Sequence, residues 1–238
     1  MDGILIVDKP KGITSHDVVD FIRRRFRIKK VGHSGTLDPL ATGVLVILIG
    51  KATKISNKLM SQNKKYEVVM TLGKRTDTCD ADGKVIFENG DYSAITEGTI
   101  KGVLAKFVGE ITQIPPMTSA VRYKGKKLYE LARQGIEVER EARPISIFGL
   151  SLLGYNPPDI TLEISCSKGT YVRVLCDDIG KALGCGAYVS QIKRTSSGDF
   201  SLKDAIDLEK LRDTTRQEFV RLLRNENYYK FKIPAQTV

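Results

Sequence analysis

The residues with the most chemical promise lie in Gly32–Gly43, GHSGTLDPLATG. One carboxylate, Asp38, stands there among small, polar and turn-forming residues, and the apolar run VLVILIG follows at once. Asp-Pro is a common turn element, so a purely structural turn aspartate is one reading. The other starts from position: a loop that runs straight into a fully apolar strand sets its acid at the edge of the core, where a carboxylate needs a partner. The chain has no G-x-S-x-G nucleophile, no P-loop and no G-x-G-x-x-G, so an acid-centred, metal-free site is what remains.

A guanidinium is the natural partner for such an acid, because it stays charged and can bond a carboxylate bidentately. Arg173, in GTYVR, follows a strand and opens a helix, which can aim its side chain into a cleft; an exposed helix arginine is the alternative. Tyr66 and Tyr171 begin or flank strands and read either as core filler or as the aromatic surface on which an unstacked base is held. Asp77, Asp80 and Asp82, in RTDTCDADGK, resemble a calcium loop but lack the order D-x-D-x-D-G and the glutamate at its twelfth position, so the segment reads as a plain loop.

Bulk properties narrow the class. The 238 residues are 41% hydrophobic and 28% charged, as in a folded protein with one large domain or one domain with a small appendage. The formal charge is +10, which favours a polyanionic partner. That charge is uneven: residues 1–78 carry 15 Lys and Arg against 7 Asp and Glu, while residues 79–112 carry 3 against 6. Arg23, Arg24, Arg25, Arg27, Lys29 and Lys30 lie together. With two histidines and four cysteines lacking C-x-x-C spacing, a structural zinc site is not expected. The N-terminus matches no secretory signal, and Val44–Ile49, the longest apolar run, falls far short of the ~20 residues that span a bilayer. These features point to a cytoplasmic protein with reduced thiols and no membrane partner.

The elements that must position Asp38 and Arg173 follow from pattern. Ile4–Val7 reads as a short buried strand closed by Lys9-Pro10-Lys11-Gly12. Thr14-Ser-His-Asp17 is a capping signal for a helix whose inner face is Val18, Val19, Ile22 and Phe26. Val44–Ile49 is a buried strand, 51–63 weakly helical, and Tyr66–Leu72 a strand again. A helix is predicted over 99–107, a strand over 111–114 halted by Pro115-Pro116, and a helix over 127–134 ended by Gly135. Strands at 145–155 and 160–166 turn at Asn156-Pro157-Pro158. TYVRVLCDDIGKALG is a helix with Gly184 in the usual C-terminal position, and Asp207 to Leu223 is predicted as one amphipathic helix. Without a βαβ rhythm, this favours an α+β fold with a largely antiparallel sheet.

Several long segments together carry a resemblance: KPKGITS, GHSGTLDPLATGVL, YEVVMTLGKRTDTCDADG, QIPPMTSAVRYKGKKLYELARQGIEVEREARP and CSKGTYVRVLCDDIGKALGCGAYVSQIKRT. Their order and spacing over about residues 3–200 resemble the TruB family of tRNA pseudouridine synthases. The resemblance implies an isomerase with the pseudouridine synthase fold and neither cofactor nor metal, converting the T-loop uridine of tRNA (conventionally position 55) to pseudouridine. Asp38 would be its essential carboxylate, attacking C1′ or removing the C2′ proton, with Arg173 as its ion-pair partner. Tyr66 would stack on the target base and handle its C5 proton.

By the same resemblance His33 would lie near the flipped nucleotides, with a loop-stabilising donor as the alternative, and Tyr171 and Lys9 would be substrate-binding residues. Residues 113–143 would be a basic insertion against the T-arm of tRNA, with Arg122, Lys124, Lys126 and Lys127 on phosphates. Thr118 departs from the tyrosine that many bacterial members carry. A C-terminal PUA-like domain is expected to be absent or vestigial, leaving one catalytic domain over 1–238, acting as a monomer with weaker affinity or a narrower footprint on tRNA. The rivals are a non-catalytic tRNA-binding or folding module, a metal-dependent nuclease built on the 77–82 aspartates, and the same chemistry on ribosomal or guide-directed RNA.

Overall fold

The computed structural model describes residues 1–88 and 91–225. The chain divides into two compact units, Met1–Tyr66 with Lys193–Val238, and Glu67–Ile192.

The first unit opens with β1 (Gly3–Lys9), α1 (Ser15–Arg25), β2 (Val31–His33), β3 (Thr42–Ile49) and, after a short 3-10 segment, α2 (Ser56–Met60). β1 and β3 pair antiparallel from Gly3↔Ile49 to Lys9↔Gly43, and β2 covers the other edge of β3 through Val31↔Ile49. Val44–Ile49 are all 0% exposed, because β3 is buried on both faces. Val44, Val46 and Leu48 pack with Ile4, Ile6, Leu59 and Phe200, while Leu45, Ile47 and Ile49 alternate to the opposite side. A continuous apolar run in place of alternation is the sequence consequence of that double burial.

The capping signal before α1 is realised in full. Thr14 Oγ1 accepts from the Asp17 N–H at 3.1 Å and Asp17 Oδ2 accepts from the Thr14 N–H at 2.8 Å. Val18, Val19, Ile22 and Phe26 are buried as predicted, and Arg24 and Arg25 are exposed.

β4 (Lys64–Leu72) leads into the second unit, which contains β5 (Lys74–Thr76), β6 (Val85–Glu88), α3 (Glu97–Ala105), β7 (Gly109–Gln113), β8 (Arg122–Tyr123), β9 (Lys126–Lys127), α4 (Leu128–Ala132), β10 (Arg143–Asn156), β11 (Asp159–Cys166) and α5 (Val172–Ala182). β12 (Ala187–Ser197) returns the chain to the first unit. Within the second unit the strand order is β12-β4-β11-β10-β7, with β10 antiparallel to both its neighbours. Hairpins β5-β6 and β8-β9 stand apart as two-stranded sheets.

Back in the first unit, the end of β12 lies parallel to the start of β3 through Lys193↔Thr42 and Arg194↔Gly43. β13 (Phe200–Ser201), β14 (Ile206–Asp207), α6 (Leu208–Asp213) and α7 (Arg216–Leu222) follow, with β14 parallel to β1. The pairing is therefore mixed but mostly antiparallel, as an α+β fold requires.

Two expectations need correction. The single helix predicted over Asp207–Leu223 is two helices, broken where Thr214 takes ψ 128°. Thr215 then starts a new helix with its own capping box, Oγ1 accepting from the Glu218 N–H at 3.3 Å and Glu218 Oε2 from the Thr215 N–H at 2.8 Å. The break lets Phe219 stack on Phe26 at 3.7 Å between ring centroids. The strand β12 has no counterpart among the predicted elements. Its inward positions change phase between Val189 and Ile192, and an arginine, Arg194, occupies the next inward site, so neither period shows. No described helix is long and apolar enough to cross a membrane.

Candidate active site

In the first unit, Asp38 sits half-buried in the loop between β2 and β3. That loop is held on both sides of the acid. Ahead of it, Ser15 Oγ donates to the Leu37 carbonyl at 3.0 Å and accepts from the Leu37 N–H at 2.8 Å. Behind it, the Pro39 carbonyl accepts from the Gly12 N–H at 2.8 Å and from Lys9 Nζ at 3.4 Å. Lys9 is fully buried and also donates to the carbonyls of Pro10 (2.9 Å) and Ile13 (2.7 Å). Its ammonium is thus committed to three backbone oxygens. Burial pushes its pKa down to about 8, the negative charge of Asp38 works in the opposite direction, and Arg194 adds to the lowering.

Arg194, among the largest fully buried side chains, is the second cation behind the loop. Its Nε donates to the Val44 carbonyl at 2.8 Å, Nη2 to that of Gly35 at 3.1 Å and Nη1 to that of Thr36 at 3.4 Å. Gly43 makes this possible: at φ +99° a side chain there would be strained, and its Cβ would overlap the Arg194 carbonyl. Sequence reasoning missed Arg194 because an arginine beside a lysine reads as a surface residue.

His33, at the end of β2, is half-buried, and its Nδ1 is buried without a hydrogen-bond partner in the protein. Burial first, then the positive charges of Arg194 and His16, hold its pKa below 6.5, which favours the neutral imidazole. Tyr66, on β4, is 9% exposed.

In the second unit, Arg173 is buried in the first turn of α5. Nη1 donates to the Thr78 carbonyl at 2.7 Å, to Asp80 Oδ2 at 2.9 Å and to Thr118 Oγ1 at 3.3 Å. The sequence marks Asp80 only as a weak metal ligand. In the structure it is an arginine partner, itself fixed by Thr78 Oγ1 at 2.5 Å and the Asp82 N–H at 3.2 Å. Among the described residues no group of three His, Cys, Asp or Glu is placed to hold a metal. Thr118 thus has a contact of its own to Arg173.

Tyr171, the residue before α5, is joined to Gln113 at the end of β7: its N–H donates to Oε1 at 2.8 Å and its carbonyl accepts from Nε2 at 3.1 Å. The base of the 113–143 segment is thereby tied to the start of α5. Farther along that segment, Lys124 and Gly125 turn the β8-β9 hairpin with φ 46° and 86°, the two positive values of a tight hairpin turn. Arg122, Lys124 and Lys126 are exposed around it, and Lys127 is half-buried with its Nζ 3.2 Å from the Tyr129 hydroxyl.

Residues 23–172 match the TruB family pseudouridylate synthase N-terminal domain, and residues 173–225 match the tRNA pseudouridylate synthase B C-terminal domain. The fold is that of the pseudouridine synthases, and a chain in the solved Cbf5-Nop10-Gar1 complex is similar at a TM-score of 0.75 and 31% identity, over 94% of this chain and 60% of that one. A second solved structure, an H/ACA RNP bound to a substrate RNA containing 2′-deoxyuridine, is similar at a TM-score of 0.69 and 28% identity, over 94% and 56%.

The chain belongs to the TruB family. It is 52% identical to tRNA pseudouridine synthase B of Syntrophotalea carbinolica over 88% of this chain and 68% of that protein. For the protein of the same name from Clostridium tetani the values are 50%, 92% and 76%, and for that of Haemophilus influenzae 48%, 89% and 67%.

Proposed function

We propose that this protein isomerises the T-loop uridine of tRNA to pseudouridine, with Asp38 as the essential carboxylate. The observation that carries the reading is the rigid seat of that acid in a TruB-family chain: its loop is fixed at Gly35, Thr36, Leu37 and Pro39 by Arg194, Ser15 and Lys9. A group that must meet a sugar carbon at bonding distance benefits from such fixing, because small misplacements cost large factors in rate.

In the reaction the C1′–N1 bond of the uridine breaks and a C1′–C5 bond forms. The proton leaves C5 and N1 regains one, so the change is redox-neutral. Asp38 serves as an ionised carboxylate against the ribose, either attacking C1′ or taking the C2′ proton. Arg173 orients it as an ion-pair partner; a guanidinium carries five donors, enough for Asp80 and a second carboxylate together. Tyr66 stacks on the detached base and receives or relays the C5 proton. The nucleotide must leave the T-loop stack to be reached, at a cost of a few kcal/mol. His33 and Tyr171 contact the flipped nucleotide or its neighbours. Lys9, in contact with the loop's carbonyls, acts on the substrate through the Asp38 loop. Arg122, Lys124, Lys126 and Lys127 supply phosphate contacts on the T-arm. The enzyme works as a monomer in the cytoplasm, a reducing setting that fits its free cysteines, Cys79, Cys166, Cys176 and Cys185.

The test is tritium release from a T-arm RNA labelled at C5 of its uridines, in EDTA, for the native chain and for Asp38→Asn. Release by the native chain alone, confined to the T-loop uridine, is the expected result. Binding without release by either would make the protein a tRNA-binding module. Equal release by both would remove Asp38 from the mechanism.

A further inference from the structure

A second ion pair, buried on its acid side and half-buried on its arginine side, lies one helical turn from Arg173. Asp177, with its side chain 3% exposed, receives a bidentate bond from Arg75, Nε to Oδ1 at 2.6 Å and Nη2 to Oδ2 at 3.0 Å, and Lys181 Nζ sits 2.7 Å from Oδ2. Arg75 lies on β5, and the segment that follows it carries Thr78 and Asp80, the partners of Arg173. The segment and α5 are therefore joined twice, 75 to 177 and 80 to 173, and the two pairs have opposite polarity. The segment's cation meets the helix's anion, and four residues apart the helix's cation meets the segment's anion.

Residues i and i+4 of a helix lie one above the other. A shift of the segment by one turn would set Arg75 against Arg173, or Asp80 against Asp177. Both are like-charge contacts in a buried place, where such contacts are most costly. The crossed polarity thus admits one register. The rest of the segment is consistent with a fixed frame: Thr76 Oγ1 donates to the Asp80 carbonyl at 2.7 Å, the Ala81 N–H donates to the Val189 carbonyl at 2.9 Å, and the Cys79 carbonyl accepts from the Val189 N–H at 3.0 Å.

We infer that the Arg75–Asp177 pair is a register lock, and that Arg75 and Asp177 are positioning residues which set the direction of the Arg173 guanidinium through the 76–83 segment. The inference rests on the proposed catalytic role of Arg173, but the lock itself can be read without activity. Cys79 lies half-buried inside the segment at φ 62°, while Cys166, Cys176 and Cys185 are buried. Burial, and next the charge of Asp177, push its thiol up to about 11, with Arg173, Lys181 and Arg75 opposing. It is an internal reporter of whether the segment stays seated.

The experiment uses Arg75→Met, in which Asp177 keeps Lys181 as a counter-ion, and Arg75→Gln as a second uncharged variant should the first fold poorly. A disulfide reagent measures the rate of Cys79 labelling, assigned with Cys79→Ser. If the segment is released, labelling accelerates by about tenfold or more, because an exposed thiol regains an ordinary pKa. If the segment stays seated, removing a nearby cation leaves labelling unchanged or slower, and the lock is overturned. Single-turnover isomerisation of tRNA is then compared in the native and Arg173→Lys backgrounds. Action through Arg173 predicts a loss of about tenfold in the first and under about threefold in the second, with tRNA affinity unchanged. Equal losses in both, or a loss of affinity in place of rate, would overturn the positioning role. A native chain that fails to isomerise refutes the proposed function instead, and the Cys79 rates still decide the lock.

Discussion

Lys9 is a cation kept where burial disfavours one. Its pKa falls to about 8 in the fold, against the ordinary lysine value near 10.4 in the unfolded chain. Between those values the unfolded state binds more protons, so the Lys9 contribution to unfolding free energy rises with pH through the window. Native protein and Lys9→Met, compared by urea unfolding at pH 7.5, 8.5 and 9.5, should diverge in favour of the native chain as pH rises. Parallel curves would dismiss Lys9 as the titrating group. Asp80 offers a second residue-level outcome. Asp80→Asn leaves a buried guanidinium with a weaker, neutral acceptor, and should slow single-turnover isomerisation by about 10²-fold while tRNA binding holds. Rates within twofold of native would show that Asp80 does not orient Arg173. Asp38 is legible as chemistry because a lone acid before an apolar strand demands explanation. Asp80 and Arg194 are not, since their partners lie 93 and 150 residues away and no local pattern encodes such contacts.

At the scale of elements, what can be read is what local physics decides. The α1 capping box and its buried face follow from spacing alone. Thr14→Ala removes the Oγ1 acceptor and should cost about 1 kcal/mol in unfolding free energy, measured by denaturant titration; no change would mean that water replaces the cap. β3 is equally plain, as a run too apolar for a half-exposed strand. The C-terminal helices read as one because hydrophobic spacing carries on across Thr214 and masks the second capping signal, Thr215 with Glu218. β12 escapes because its inward residues change phase and include a charge. Tertiary bonding to Val44, Gly35 and Thr36 outweighs the ordinary preference of arginine for the surface.

For the whole molecule, the formal charge of +10 makes association with tRNA sensitive to salt. Removing one cation from a phosphate should lower the log–log salt slope of binding by about 0.7–0.9. Arg122→Ala and Lys126→Ala, exposed on the β8-β9 hairpin, are therefore expected to reduce the slope by about one such step each and to leave single-turnover rates at saturating enzyme unchanged. An unaltered slope would remove the hairpin from the phosphate footprint. The family and fold class are legible because long motifs survive in order, whereas the first unit's assembly from two distant chain segments is a non-local pairing that no window of sequence reveals.

Gly43 gives this architecture an evolutionary corollary. Its missing side chain is the space occupied by the Arg194 backbone, so in a library carrying every amino acid at each glycine, position 43 should behave as invariant. Gly12, with φ +90° and nothing within 4 Å of its would-be Cβ, should admit asparagine or aspartate at modest cost. Two glycines with nearly the same backbone angle would then have very different mutational tolerance. The stricter one marks a place where the protein cannot drift, because another strand of its own chain already fills the room.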